Sequence, residues 1–253
     1  MASIAFFGAT GGSANAALTE ALLNGHKCRA LARNPNNLTK MLLEQSINQT
    51  VLDEKLTIIK GGIYDQEALK ATVFDGKDVV RAIVSGLGPT PQLQWSLYSP
   101  VTVNNLTLCG DFATLLVQTL EQLKKNITDY KGPSVAAVST TGISKGPNDV
   151  PFGYNWLYHW LLKVPHVDKR NMESVLRSEP AQIVFSKIVI TRATLLLGSH
   201  LLSSKGAKLY VGTGESPILG YYVSRADVGD WIYKNVIEES DIPVGVNVFT
   251  LTL

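Results

Sequence analysis

A glycine-rich segment near the amino terminus has the residue types and spacing that bind phosphate. Residues 3–14 read SIAFFGATGGSA, so an apolar run ends in a turn before a helical pattern begins. Backbone amides at such a helix start, together with its positive dipole, attract a diphosphate. A purely structural turn is the alternative. The residues predicted to bind a dinucleotide here are Gly8, Thr10, Gly11, Gly12 and Ser13.

Three hydroxyl residues and one lysine are the candidates for proton chemistry. Ser139, Thr140 and Thr141 follow a predicted strand and would face the cofactor, donating hydrogen bonds to a substrate carbonyl. Lys169 would hold the ribose hydroxyls of the cofactor or protonate a substrate oxygen. The structural alternatives are a hydroxyl turn that caps the strand, and a helix lysine paired with Glu173. Further candidate proton donors are Tyr158, His159 and His166.

The end of the second predicted strand distinguishes the two nicotinamide dinucleotides. A carboxylate there hydrogen-bonds the adenosine ribose of NAD(H), whereas an arginine attracts the 2′-phosphate of NADP(H). The chain has Arg33 and Asn34 at this place, no acidic residue nearby, and Lys40 further on. A guanidinium binds phosphate through two parallel hydrogen bonds. We therefore predict NADP(H) as the cofactor, with a solvated loop arginine as the alternative.

The ends of the next predicted strands complete the nucleotide groove. Gly62 and Ile63 would lie near the adenine, with Ile63 as an apolar contact. The segment that follows the fourth strand would pass beneath the ribose and the diphosphate, where glycine permits close approach of the backbone. Its residues are Ser85, Gly86, Leu87 and Gly88.

Strand-like and helix-like segments alternate, which is typical of a parallel sheet with helical crossovers. The predicted strands cover residues 4–7, 27–32, 56–59, 78–84, 134–138, 187–191, 208–211 and 248–251. The predicted helices cover residues 13–23, 38–45, 66–71, 103–123, 168–177 and 224–236. We predict an α/β fold: a Rossmann-type doubly wound parallel sheet with a small C-terminal substrate cap.

We predict one NAD(P)-binding Rossmann domain over residues 1–253, because no repeat, low-complexity segment or linker divides the chain. Segments of a substrate cap are expected at roughly 147–168 and 195–223, over the carboxyl edge of the sheet, where open α/β folds bind ligands. Residues 154–160 are rich in Tyr and Trp. Their flat apolar faces suit an aromatic substrate, and a buried helix stripe explains the same residues.

The composition is that of a globular protein, with 45% hydrophobic and 17% charged residues. A net charge of +2 with scattered Lys and Arg favours a small-molecule substrate over nucleic acid. Cys28 and Cys109 are expected to be buried free thiols, and no metal site is predicted. The absence of a signal peptide and of a long apolar run predicts a cytoplasmic protein without a membrane partner.

Several motifs occur in order along the chain: GATGG at 8–12, ARNP at 32–35, SGLG at 85–88, STTG at 139–142, Lys169 with Glu173, LRS at 176–178, ITR at 190–192 and VSRADV at 223–228. Together they resemble the NmrA-like, NAD(P)H-binding group of atypical short-chain dehydrogenases, particularly its fungal members. The resemblance covers essentially the whole chain. It implies a Rossmann fold, NADP(H), a monomer or loose homodimer, and a role in secondary metabolism.

The chain departs from this group at two places and from most short-chain dehydrogenases at a third. Gly62-Ile63 stands where many relatives have Gly-Asp, and Arg192-Ala193 where they often have Arg-Pro. Most short-chain dehydrogenases use a tyrosine general acid with a lysine four residues later. If Lys169 is that lysine, the tyrosine position holds Pro165, so the dyad is absent.

We predict an NADPH-dependent reductase of a small, largely apolar or aromatic carbonyl or unsaturated compound, acting in secondary metabolism. The missing dyad leaves two alternatives. The first is a redox-sensing regulator that binds NADP(H) without turnover and signals to a partner protein. The second is a non-redox cyclase or isomerase on the same fold, with Lys169 and the hydroxyl run as acid–base groups.

Overall fold

The computed structural model describes residues 2–88, 91–93, 101–103, 105–151, 153, 163–201, 208–238 and 241–253. The strands of this part are β1 (Ile4–Phe7), β2 (Cys28–Ala32), β3 (Leu56–Lys60), β4 (Ala82–Ser85), β5 (Pro91–Leu93), β6 (Val101–Val103), β7 (Ser134–Thr140), β8 (Lys187–Ala193), β9 (Leu195–Leu197), β10 (Tyr210–Thr213), β11 (Tyr222–Ser224) and β12 (Gly245–Thr252). The helices are α1 (Gly12–Leu23), α2 (Pro35–Leu43), α3 (Gln49–Lys55), α4 (Gln66–Val73), α5 (Leu108–Asn126), α6 (Lys163–Leu176), α7 (Glu179–Val184) and α8 (Arg225–Ile232), and a π-helical segment (Tyr233–Glu238) continues α8.

The central sheet is eight-stranded, in the order β10-β12-β8-β7-β4-β1-β2-β3. Its neighbours are parallel except for β10 and β12, which are antiparallel. The register aligns Phe7 with Leu31 on one side and with Ser85 on the other, so the carboxyl ends of β1, β2 and β4 lie at one edge. The strand order reverses at β1, and such a switch point opens a ligand crevice at that edge. The predicted Rossmann-type fold is confirmed.

Two hydrophobic clusters cover the two faces of the sheet. Phe6 belongs to the cluster under α1 and α8, and Phe7 belongs to the cluster under α4, α5 and α6. The two rings separate because successive side chains of a strand point to opposite faces. The Phe7 ring lies 4.7 Å from that of Phe112, centroid to centroid. A strand buried on both faces carries a continuous apolar run, as β1 does.

The fourth strand and the long helix begin later than predicted. The fourth strand begins at Ala82 rather than at residue 78, because Val79 pairs with Phe74 in a bridge that turns the chain after α4. The long helix begins at Leu108 rather than at residue 103. The carboxylate of Asp168 accepts hydrogen bonds from the amides of Cys109 and Gly110, at 2.9 and 2.8 Å, and so fixes this start.

The C-terminal third contributes more to the sheet than the sequence suggested. β10 lies within the predicted cap segment 195–223, yet it pairs with β12 in the main sheet. β9 and β11 form a separate two-stranded sheet. In the other predicted cap segment, residues 154–162 lie outside the described residues. Contact of either segment with a substrate stays a prediction.

In the described ranges, no helix combines the length and apolar character needed to cross a membrane. The same ranges contain no group of three or more His, Cys, Asp or Glu residues that could hold a metal ion. A cytoplasmic location, a homodimer and the absence of a nucleic-acid partner stay predictions.

Candidate functional site

The turn after β1 requires glycine at its first position. Gly8 has a φ of +73°, in the left-handed region that favours glycine. Its carbonyl accepts a 2.8 Å hydrogen bond from the amide of Gly11, which closes the turn. A Cβ atom on Gly8 would lie 2.9 Å from the carbonyl carbon of Gly86 and from the amide nitrogen of Leu87. The turn is therefore packed directly against the segment that follows β4.

The start of α1 fits a diphosphate. Gly11 is the N-cap residue and provides no side-chain hydrogen bond to the first amides of the helix. The buried hydroxyl of Ser13 has no hydrogen-bond partner in the described part of the chain. A Cβ atom on Gly86 would lie 2.7 Å from Cβ of Ala14, so only glycine lets the two segments approach this closely. Available donors and small residues are what close approach of a phosphate needs.

Arg33 lies at the carboxyl end of β2 with its guanidinium exposed to solvent. It makes no hydrogen bond or ion pair to the residues that the structure describes, so it is available to an anion. Asn34 has a structural task, because its side-chain oxygen accepts a hydrogen bond from the amide of Asn37 and caps α2. Its predicted contact with the cofactor would have to come from its remaining groups.

The structure places the two predicted adenine contacts directly after β3. Ile63 packs against the hydrophobic cluster below α4 and α5, and it is only partly buried. The carbonyl of Gly62 accepts a hydrogen bond from the amide of Asp65, which in turn caps α4. This part of the groove is thus held by the start of α4.

Arg225 lies close to the glycine turn after β1, although no local sequence signal predicts it there. A Cβ atom on Gly12 would lie 2.7 Å from Cβ and 2.9 Å from Cγ of Arg225, so the arginine stem covers the first residue of α1. The guanidinium donates a 2.8 Å hydrogen bond to the carbonyl of Gly198. Arg225 reaches this position because α8 packs closely against α1. At Gly229 on α8, the backbone lies so near the carbonyl of Ser13 that there is no room for a side chain.

Lys169 connects two segments at the carboxyl edge of the sheet. Its Nζ donates to the carbonyl oxygen of Leu87 at 2.8 Å and to that of Val138 at 2.7 Å. The predicted alternative, an ion pair with Glu173, is not what the structure contains. An ammonium group has three donors, so two carbonyls leave one for a ligand. Lys169 is therefore in a position to bind a hydroxyl or carbonyl oxygen above the strand ends.

The hydroxyl run is more buried than expected. Ser139 is 3% exposed, and its hydroxyl donates a 2.7 Å hydrogen bond to Oε1 of Glu173. Thr141 is 1% exposed, and its amide donates to the carbonyl of Ala193. The hydroxyl of Thr140 donates to the carbonyl of Thr141. The hydroxyl hydrogen of Ser139 is thus already donated to Glu173. Ser139 could donate to a substrate only after breaking this hydrogen bond.

A buried ion-pair cluster lies behind this serine. Arg192 donates to both carboxylate oxygens of Glu173, at 3.0 and 2.7 Å, and lies 3.4 Å from an oxygen of Asp149. The second Asp149 oxygen accepts from the amide of Gly142 at 2.9 Å. Burial raises the pKa of Asp149, and the Gly142 amide and Arg192 only partly oppose this. Burial lowers the pKa of Arg192, but Glu173 and Asp149 outweigh it and raise the pKa overall.

The remaining candidates divide between buried groups and residues outside the described part. Tyr158 and His159 lie outside the described residues, and His166 is buried. Cys28 and Cys109 are free, buried thiols. Burial raises the pKa of both, and in Cys109 nearby Lys169 opposes the rise. Because the thiolate is the nucleophilic form and a raised pKa disfavours it, neither cysteine is activated as a nucleophile.

Sequence reasoning missed three residues around this site: Asp149, Arg192 as an ion-pair partner, and Arg225. Arg192 and Arg225 belong to the ITR and VSRADV motifs, but nothing local assigned them a role. No sequence motif included Asp149. Of the ion-pair cluster, only Glu173 was predicted to pair, and with a different partner.

The chain is similar to known proteins over most of its length. A family described as NAD(P)H-binding matches residues 8–239. The chain is 36% identical to reductase pytE of Aspergillus terreus over 245 residues, which cover 94% of this chain and 92% of the relative. It is 33% identical to oxidase pynE of Aspergillus niger over an alignment of 263 positions, which covers 93% of this chain and 92% of the relative.

Solved structures support the same fold. The anaerobillin reductase ChuY of Escherichia coli O157:H7 superposes with a TM-score of 0.63 at 18% identity, covering 98% of this chain and 96% of that one. At this identity the likeness concerns the fold alone. The predicted family and the predicted cofactor class, a nicotinamide dinucleotide, are confirmed by the family match.

Proposed function

Since the chain belongs to the NAD(P)H-binding, NmrA-like family of atypical short-chain dehydrogenases and is an oxidoreductase, we propose that it is an NADPH-dependent reductase. Its substrate is a small, largely apolar or aromatic carbonyl or unsaturated compound, and its setting is secondary metabolism. The observation that carries the proposal is the position of Lys169. Its ammonium bridges the segment after β4 and the end of β7, beside the turn that fits a diphosphate.

Two arginines from distant parts of the chain bind the phosphates. Arg33 binds the 2′-phosphate, because it is exposed at the end of β2 and no described group occupies its guanidinium. Arg225 adds positive charge beside the diphosphate, because its stem crosses Gly12 at the start of α1. The amides at the start of α1 and the Ser13 hydroxyl bind the diphosphate directly.

Bound NADPH supplies a hydride, and the protein must then position and protonate the substrate. Lys169 hydrogen-bonds the substrate oxygen through its third N–H donor and supplies the proton there. Glu173 is a positioning residue: it fixes the Ser139 hydroxyl and ties the end of β7 to α6 and β8 through Arg192. The carbonyls of Leu87 and Val138 hold the ammonium at the edge of the sheet.

Two observations favour the second candidate, a redox-sensing regulator that binds NADP(H) without turnover. The hydroxyl of Ser139 already donates to Glu173, and Pro165 occupies the position of the usual tyrosine. A protein of this kind would retain the nucleotide groove and lose the need for a proton donor.

The experiment that separates the candidates is an NADPH fluorescence titration, followed by NADPH absorbance with a panel of quinones and enones. A reductase oxidises NADPH with at least one compound of the panel. Binding without oxidation by any of them would contradict the reductase and favour the regulator. Conversion of a compound without net consumption of NADPH would instead indicate a cyclase or isomerase.

The role of Lys169 is tested with Lys169→Met. Loss of a general acid lowers kcat by about a hundredfold. NADPH affinity and circular dichroism show whether the variant still folds and binds. Lys70→Met is the matched control, because Lys70 is exposed in the last turn of α4, and this variant should keep full activity. Unchanged kcat in Lys169→Met would limit this lysine to a structural role.

The preference for NADPH is tested with Arg33→Met. The variant should weaken NADPH binding by about ten- to a hundredfold and NADH binding by less than about twofold, because only NADPH has the 2′-phosphate. Equal weakening of the two cofactors would contradict the assignment of Arg33.

A further inference from the structure

A cleft of about 580 Å³ lies beside the buried ion pair, outside the nucleotide groove. It runs between the outer face of α6, the segment that follows β7, the end of β10, and β12. Its volume is within the range of small-molecule sites. None of its lining residues is among those predicted to bind the cofactor.

Positive charge predominates in this cleft. The charged residues that line it are Lys145, Arg170, Glu173, Arg177, Arg192 and Glu215. The carboxylate of Glu173 is already bound by Arg192 through both oxygens, so it repels an incoming anion less than a free carboxylate would. Arg192 and Arg177 lie 2.7 and 3.7 Å from this carboxylate. Lys145 and Arg170 are thus the cations of the lining that remain for a ligand, and Glu215 is an exposed carboxylate in the same lining.

Arg170 and Lys145 have donors available for a ligand. The contact that Arg170 makes within the described ranges is a long one, 3.5 Å from Nη2 to the carbonyl oxygen of Gly142. Lys145 makes no hydrogen bond or ion pair to any described residue, and both side chains are exposed at the mouth of the cleft. Exposed cations with unused donors bind carboxylates well, and Arg can do so through two hydrogen bonds.

The opposite wall of the cleft is apolar. β12 contributes Val246 and Val248, which pack on the α6 side of the sheet, and the segment after β7 contributes Ile143 and Pro147. A cavity with an apolar wall and a cationic mouth suits a molecule with an apolar body and one anionic end. It does not suit a fully apolar compound, because desolvating the guanidinium would then bring no compensating contact.

The cleft is continuous with the region of proposed chemistry. Glu173 lines the cleft and also accepts the hydrogen bond of Ser139. Lys169 lies one helical turn before Glu173 on α6 and contacts the carbonyl of Val138, next to that serine. A molecule in the cleft would thus extend towards the end of β7.

We propose that this cleft binds the anionic end, a carboxylate or an acidic enolate, of the substrate, with Arg170 and Lys145 as the binding cations. The inference rests on the proposed reductase function and narrows its substrate class to amphiphilic organic acids. It adds a charged group to the largely apolar substrate expected from the sequence.

The test compares two fluorescent probes that differ by one charged group. Anilinonaphthalene sulfonate carries a sulfonate, and N-phenyl-naphthylamine is its neutral counterpart. Both are titrated into the intact protein with saturating NADP⁺, which fills the nucleotide groove. The variant is Lys145→Gln/Arg170→Gln, and Lys55→Gln/Lys70→Gln is a control that removes the same charge from α3 and α4, beside the opposite edge of the sheet.

The double variant in the cleft should weaken sulfonate binding by about five- to tenfold, since two partly exposed charge contacts are lost. The neutral probe should bind the wild type more weakly than the sulfonate does, and its binding should change by less than about twofold in the double variant. The control should bind both probes like the wild type. Equal sulfonate affinity in wild type and double variant would overturn the inference, and so would the absence of saturable sulfonate binding to the wild type.

The result of the probe titration does not depend on whether the protein turns over a substrate. If no compound of the quinone and enone panel is reduced, the reductase proposal fails while the probe titration still decides whether the cleft binds anions. If a reducible acid is found, its KM should rise in the double variant with kcat little changed, and the KM of its methyl ester should not.

Discussion

The nucleotide groove and the region around Glu173 are built in different ways. The groove is formed mainly by backbone groups. Gly8 and Gly11 close a turn through a hydrogen bond, and Gly86 lets the segment after β4 approach α1 closely. Around Glu173, side chains from separate segments meet in a buried cluster. A backbone site depends on a few small residues close together in sequence. A side-chain site depends on the whole fold to bring its members together.

The cluster should be the more sensitive region to loss of a single group. Arg192→Met leaves Asp149 buried without its cation and Glu173 with the exposed Arg177, 3.7 Å away, and should lower the free energy of unfolding by about 3–5 kcal/mol. Urea unfolding measures this change. The double variant Glu173→Gln/Arg192→Met removes one charge of each sign and should recover part of the loss. A single variant as stable as the wild type would show that the ion pair contributes nothing.

In the groove, the largest expected effect is at Gly8. Gly8→Ala combines a positive φ with contacts to the backbone of Gly86 and Leu87, and should cost about 2–4 kcal/mol of stability as well as cofactor binding. Gly25→Ala is the matched control, because Gly25 has a similar φ of +79° and a Cβ atom there would have nothing within 4 Å. Its cost should stay near about 1 kcal/mol. Equal losses would mean that the close approach to Gly86 is unimportant.

A smaller effect is expected at Arg225, whose side chain lies over the backbone of Gly12 in the groove. Arg225→Met keeps the stem over Gly12 and removes the charge, so NADPH and NADH should both bind about three- to tenfold more weakly. Fluorescence titration measures both affinities. This common loss differs from Arg33→Met, where only NADPH is affected. Unchanged binding of both cofactors would show that Arg225 only packs.

The smallest effect concerns pH. Burial raises the pKa of Asp149 above 3.8, so the folded state holds this proton more tightly than the unfolded state does. The stability that the protonated group provides is complete below pH 3.8 and is lost as the pH rises through the raised pKa. Asp149→Asn cannot ionise, so its stability relative to wild type should increase as the pH rises through that window. Thermal melting at several pH values measures the difference, and a constant difference would contradict the shift.

Sequence patterns predicted the first strand, the glycine turn and the start of α1 correctly, because the relevant physics is local. An apolar run, a glycine turn and a helix start occupy neighbouring positions, and Arg33 follows the second strand directly. Sequence patterns did not predict contacts between residues that are far apart in the chain. Lys169 was considered as a partner of Glu173 from their spacing on one helix, but carbonyls of β7 and of the segment after β4 bind it instead. Spacing on a helix cannot reveal which strands lie beneath it.

The sequence by itself determined the fold class, the glycine turn after β1 and the family, because alternating hydrophobicity and glycine spacing are properties of adjacent residues. Only the tertiary structure decided that Arg225 covers Gly12 and that Arg192 joins Glu173 to Asp149. Those contacts link residues far apart in the chain, and they exist only after the parallel sheet has set the order of its strands and α8 has packed on α1.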